Sequence, residues 1–200
     1  MRILKLLWLA LGAAALATTA VLAQATDSDT INLSGTQAQT CTLGAFSAGA
    51  ATGALDSGDL TSPTAVSLTD TMSASTAIRA AGSITLNAAA MCNYGHFVSV
   101  RQTGGGLINS SDVAPAQGTF IRKQGYDAVV SWAGFTAVTA SSSDVTTAPP
   151  TAASITSTNQ AISGAASGTL SLTLSVAAST SPVVAGAYTD SVVIQIGADL

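Results

Sequence analysis

Thr169-Leu170-Ser171-Leu172-Thr173-Leu174-Ser175-Val176 alternates hydroxyl and aliphatic side chains without a break. Successive side chains of a strand point to opposite faces, so one face here buries three leucines and a valine while the other wets four hydroxyls. Tyr188-Thr189-Asp190-Ser191-Val192-Val193-Ile194-Gln195-Ile196 follows downstream with a related pattern and is predicted as a second strand. Upstream, Ser83-Ile84-Thr85-Leu86-Asn87-Ala88 is a strand ending near Cys92, Asn93-Tyr94-Gly95 is a turn, and His96-Phe97-Val98-Ser99-Val100-Arg101 returns. That pair is predicted as a hairpin, closed by the flexible turn Gly104-Gly105-Gly106.

Weaker strands are expected over 65–69, 72–77 and 120–123, and a longer one over 126–132. Residues 139–158, with Pro149-Pro150, are expected to form a long exposed loop. Residues 29–43 open on Ile31, Leu33 and Gly35 at period two. Six to eight short strands between turn-rich loops predict an all-β fold, a β-sandwich of immunoglobulin type in one domain.

Composition supports this class. Charged residues are 8% of the chain and apolar ones 48%, with Ala, Ser, Thr and Gly dominant. The Glu/Lys/Arg/Leu signature of long helices is missing, and repeated Val/Ile/Leu alternation argues against disorder.

The first residues read as an export signal. Arg2 and Lys5 precede an uncharged apolar run over 6–17, and small residues then offer cleavage after Ala23, or after Ala25 as second choice. A membrane anchor would need about 20 apolar residues, more than this run supplies. The expected organisation is signal peptide 1–23, an N-terminal segment 24–37 and a domain over 38–200, exported and without a membrane span after cleavage. The exported part keeps Arg79, Arg101, Arg122 and Lys123 against ten aspartates, a net charge near −6. Four cations cannot build the basic face that nucleic acid requires, and anionic lipid is disfavoured likewise.

With an export signal and two cysteines in all, the default is one disulfide, Cys41–Cys92, tying two strand ends. It would close a loop of about 50 residues, worth on the order of 4 kcal/mol by chain entropy. Catalytic machinery is sparse. His96, the sole histidine, is expected as an exposed or edge-strand side chain, no Gly-x-Ser-x-Gly elbow occurs, and Asp56 and Asp59 read as turn residues. No metal site, no cofactor and no enzymatic role are expected.

Four stretches then add up to a resemblance. Thr40-Cys41-Thr42-Leu43 follows a short alternating segment; the strand over 84–90 runs into Cys92; a Tyr-containing strand covers 126–132. The chain closes on Ala185-Gly186-Ala187-Tyr188-Thr189-Asp190-Ser191-Val192-Val193-Ile194, a Gly-x-Tyr-x-Asp strand through Gly186, Tyr188 and Asp190. Together these resemble the spore coat protein U-like domain family, which includes pilins of the archaic chaperone–usher pathway.

The resemblance implies an immunoglobulin-like sandwich lacking one strand, and fibre assembly by donor-strand complementation. Implied partners are identical or related pilin subunits, a periplasmic chaperone and an outer-membrane usher. The implied route runs through the periplasm to a cell-surface or extracellular fibre serving attachment or biofilm formation. The donated segment would be about 26–37, with Ile31 and Leu33 inserting and Gly35 at a close backbone approach. Other readings stand beside it. Residues 29–37 also read as an ordinary first strand of their own domain, and the protein as a self-complete secreted or periplasmic binding domain. A hydrolase using His96 is the third class.

Overall fold

The structure, a computed structural model, describes residues 33–67, 73, 76–109, 119–147 and 149–198. In chain order the strands are β1 (Cys41–Leu43), β2 (Ser47–Gly53), β3 (Leu60–Ser62), β4 (Ala65–Val66), β5 (Gly82–Cys92), β6 (His96–Gln102), β7 (Leu107–Asn109) and β8 (Lys123–Gln124). They continue as β9 (Asp127–Trp132), β10 (Val138–Ser141), β11 (Ile155–Thr156), β12 (Gln160–Ile162), β13 (Ala166–Val176), β14 (Tyr188–Thr189) and β15 (Val192–Gly197). One 3-10 turn, Ser57–Asp59, and no α-helix occur among the described residues, and no helix there is long and apolar enough to cross a membrane.

The fold is an all-β sandwich of antiparallel sheets. The larger sheet runs β10–β9–β13–β5, and β1 and β2 share the remaining edge of β5. In the second sheet β6 is central, with β11 and β12 along one edge and β15 along the other. Two ribbons, β14–β7–β8 and β3–β4, flank them.

β13 lies at the middle of the larger sheet because its alternation suits a strand with one buried face. Leu170 and Leu172 join Ile84, Leu86, Val98, Val100, Val130 and Trp132 in the core. Each such side chain contributes roughly 1.5–3 kcal/mol of burial. On the outer face hydroxyls bond across strands, as in Thr85–Thr173 (3.0 Å) and Ser171 to Asn87 (2.8 Å), and hydrate a surface that has few charges. Gln102, fully buried, ties the sheets together by donating from Nε2 to the carbonyls of Tyr126 (2.8 Å) and Ala140 (2.9 Å).

Cys41 stands directly opposite Cys92 in the β1–β5 register, and the two form the disulfide. Cys41 therefore opens a strand instead of following one, and residues 33–40 are exposed and outside any strand. Arg79, also buried, donates to both Asp144 carboxylate oxygens (3.1 and 3.2 Å) and to the Ala177 carbonyl (2.8 Å), pinning two loops together.

Several expectations need correction. β5 and β6 do not form a hairpin: β13 occupies one edge of β5 and β1 and β2 the other, so the chain crosses to the second sheet at 93–95. The strand expected over 188–196 breaks at Asp190 into β14 and β15, which belong to different sheets. The loop expected over 139–158 begins and ends in strand, since Val138 and Ala140 face the core and Ile155 pairs with Gln102. β2, Ser-Ala-Gly-Ala-Ala-Thr-Gly, went unpredicted because it carries no large apolar side chain. Its small residues fit instead where Gly49 closely approaches Asn87 and Thr85. Of the weak strand expected over 65–69, Ala65–Val66 form β4, Ser67 lies outside any strand and the rest falls outside the described residues. Of 72–77, Ser73, Thr76 and Ala77 are described, none is in a strand, and the Ala77 N–H donates to the Ser73 carbonyl (2.9 Å).

Candidate functional site

β15 is the strand that positions the site. Its register sets Val192 opposite Gln102, Ile194 opposite Val100 and Ile196 opposite Val98. The Val100 N–H and C=O are turned away from β15 and bond Ser157, while the Ser191 carbonyl accepts from the Thr103 N–H (2.8 Å). Alternation along an antiparallel pair then aims the N–H and C=O groups of Val192, Ile194 and Ile196 at the outer edge. No described strand pairs with that edge.

The side chains point the same way. Val98 and Val100 are wholly enclosed, at 0% exposure, yet their β15 partners Ile196 and Ile194 are only partly buried. What leaves Ile194 uncovered is a groove of about 310 Å³ between the sheets. Leu43, Phe46 and Leu86 line it from the β1–β5 side, Leu172, Leu174 and Val176 from β13, and Val192 and Ile194 from β15. A fully paired sandwich would fill this space with the side chains of one more strand.

The groove ends at a polar knot. Asp190, in the break between β14 and β15, accepts from the backbone N–H groups of Gly104 (2.6 Å), Gly106 (3.2 Å) and Ser191 (2.7 Å). The Tyr126 hydroxyl donates to it as well (2.8 Å). Burial, then the hydrogen bond to Asp190 and its negative charge, holds the Tyr126 phenol far above its ordinary range, so it remains a donor. The 104–106 loop, expected to be a flexible turn, is thus pinned by the carboxylate. With Asp190 supplied by four donors, what remains open in the groove is mostly apolar, Thr64 and Ser191 aside, and suits aliphatic side chains beside backbone that no described strand pairs.

The closing motif shapes the entry to β15. Gly186 has φ +146, and a Cβ there would collide with the Asn109 side-chain amide, so glycine is required. The Tyr188 hydroxyl lies within donating distance of the Val184 (2.9 Å) and Ile121 (3.2 Å) carbonyls and so fastens the segment that leads into β15. Gly186, Tyr188 and Asp190 therefore come together around the start of the open-edged strand.

The other candidates named from the sequence fall elsewhere. Leu33 is 94% exposed, Gly35 has open space around it, and Ile31 lies outside the described residues, as does the whole of 1–23. His96 is not an exposed side chain. At 2% exposure it packs against Trp132 (ring centroids 5.1 Å apart), with Nδ1 at 2.7 Å from the Tyr94 carbonyl. Asp56 and Asp59 cap the 3-10 turn, accepting from the Gly58 and Asp56 N–H groups respectively. Phe46 and Leu107 at the groove are not singled out from sequence, and nothing in their spacing marks them; Tyr126 is read from sequence only as the tyrosine of the 126–132 strand. The described residues contain no cluster of potential metal ligands.

No protein-family model, curated protein or solved structure matches this chain.

Proposed function

We propose that the protein is a structural subunit of an extracellular fibre, in which segment 24–37 of one copy completes the sandwich of the next. The observation that carries this reading is the apolar groove beside the edge of β15 that no described strand pairs. A strand laid there gains three N–H and three C=O partners along β15 and presents alternate side chains to the groove. Segment 24–37 has the complementary pattern. Ile31 and Leu33 share one face of an extended chain, and Leu33 stands exposed. Twelve extended residues, 26–37, reach about 40 Å, twice the roughly 20 Å of a six-residue strand such as β15.

The disulfide fits an oxidising compartment, and the charge-poor hydroxyl surface fits an assembled, extracellular role. Before assembly the open edge would need a temporary strand, the part a periplasmic chaperone plays, with handover at an outer-membrane usher. Attachment or biofilm formation is the role such a fibre would serve.

Deleting residues 24–37 tests the proposal. The expected product is a secreted, disulfide-bonded monomer that forms no fibres, and normal fibres from the deleted chain would overturn it.

A further inference from the structure

Asn93 sits in the crossing between β5 and β6, next to Cys92, and all its polar groups but its own carbonyl are directed at one stretch of backbone. Its N–H donates to the Thr40 carbonyl (3.1 Å), its Oδ1 accepts from the Thr40 N–H (2.8 Å), and its Nδ2 donates to the Ala38 carbonyl (2.8 Å). The side-chain amide can serve only in this orientation. Turned over, it would set NH₂ against N–H and oxygen against C=O. Residues 38–40 are exposed and outside any strand, and no other described residue hydrogen-bonds Ala38 or Thr40. One side chain thus fixes the backbone immediately before the disulfide, at the point where segment 24–37 joins the domain.

That is more restraint than the fold requires, since the disulfide and β1 already secure the chain from Cys41 onward. We infer that Asn93 is a positioning residue for subunit exchange: by fixing residues 38–40 it sets the direction in which segment 24–37 leaves the domain. This rests on the fibre reading above. Ordering the root of the segment in advance removes part of the entropy that insertion would otherwise cost, and so speeds and strengthens assembly. Asn93→Ala removes both side-chain bonds. Asn93→Asp is nearly isosteric, keeps an acceptor for the Thr40 N–H and sets a second oxygen against the Ala38 carbonyl.

The test compares the full exported chain as wild type, Asn93→Ala and Asn93→Asp in two measurements. Fibre growth is followed by light scattering and electron microscopy. Groove affinity is measured with a synthetic peptide of residues 24–37, added to chains that also carry Leu33→Asp and so cannot donate. The expected result is growth slowed about tenfold in Asn93→Ala and by an intermediate factor in Asn93→Asp, with peptide affinity unchanged in both. Equal growth in all three chains overturns the inference and leaves the fibre reading standing. Peptide affinity falling in parallel with growth also overturns it, because Asn93 would then act through the groove. If the wild-type chain neither grows fibres nor has a groove that binds peptide, the fibre reading fails and this inference with it.

Discussion

Replacing Ile194 by alanine probes whether the groove is open in the isolated domain. Ile194 points inward from β15 but is not fully buried, whereas its cross-strand partner Val100 is wholly enclosed. Truncating a fully buried isoleucine costs roughly 2–5 kcal/mol, so a side chain that is mostly but not fully buried should cost the free domain about 1.5–3 kcal/mol. A strand seated on β15 would bury the rest of the side chain. Its removal should then cost the complex a further amount of up to about 1.5 kcal/mol, as much as a roughly tenfold loss of affinity.

The assay is urea unfolding of the Leu33→Asp chain, with and without Ile194→Ala, each alone and with the 24–37 peptide. A ligand that binds only the folded state adds about 2.7 kcal/mol at a concentration a hundredfold above its Kd. The parent should show that gain, and Ile194→Ala should show less of it at the same peptide concentration. A cost above about 4 kcal/mol in the free domain would mark Ile194 as part of a finished core and refute the reasoning. So would a parent midpoint that the peptide fails to move.

Two further outcomes are expected. Replacing Cys41 and Cys92 together by alanine removes a crosslink of sequence separation 51 and should lower stability by about 4 kcal/mol. Peptide affinity should fall too, since β1 supplies Leu43 to the groove; a stability loss below about 1 kcal/mol would contradict the crosslink's assigned weight. Tyr126 is held neutral by burial and by Asp190, so its contribution is fully present below the unfolded phenol pKa of about 10 and is lost as pH rises beyond it. Phenolate absorbance, taken as a difference against Tyr126→Phe, should show Tyr126 ionising only with alkaline unfolding and earlier in Asp190→Asn; ionisation near pH 10 in the intact fold would contradict this.

The sequence made the strands legible where period two ran long, and far less of how they pair. β13 and β5 are legible because leucines and a valine alternate with hydroxyls over 169–176, and Ile84 and Leu86 alternate with Ser83 and Thr85, although each strand runs on into small residues that carry no such pattern. The disulfide partners followed from cysteine arithmetic, but their cross-strand geometry did not. The hairpin failed because a turn sequence specifies a change of direction, while the sheet that accepts the next strand depends on which edges distant strands have already taken. β5 has none left for β6. His96 was misplaced for a related reason. Even-numbered positions of β6 face the core, and the first of them is a histidine, whose polarity masked the phase that Val98 and Val100 define. At the groove, Leu172 and Leu174 were visible as an inward face, whereas Phe46 and Tyr126 reach it through loops whose paths no local pattern encodes.

The open edge of β15 left a trace of another kind in the sequence. Period two in Val192-Val193-Ile194-Gln195-Ile196 says which face is buried; it is silent on whether an edge is paired. Edge strands that must stay unpaired usually carry a lysine, a proline or an inward charge, or are kept very short, because unpaired backbone recruits other strands. β10, the exposed edge of the larger sheet, has only four residues, two of them hydroxylated. β15 has six, with no charge and no proline, and it flanks an apolar groove. A chain with so undefended an edge would be prone to aggregate unless something occupied it. A strand delivered by a second copy, as proposed, would turn that hazard into a specific contact, and the same features that would make the edge dangerous would supply its affinity.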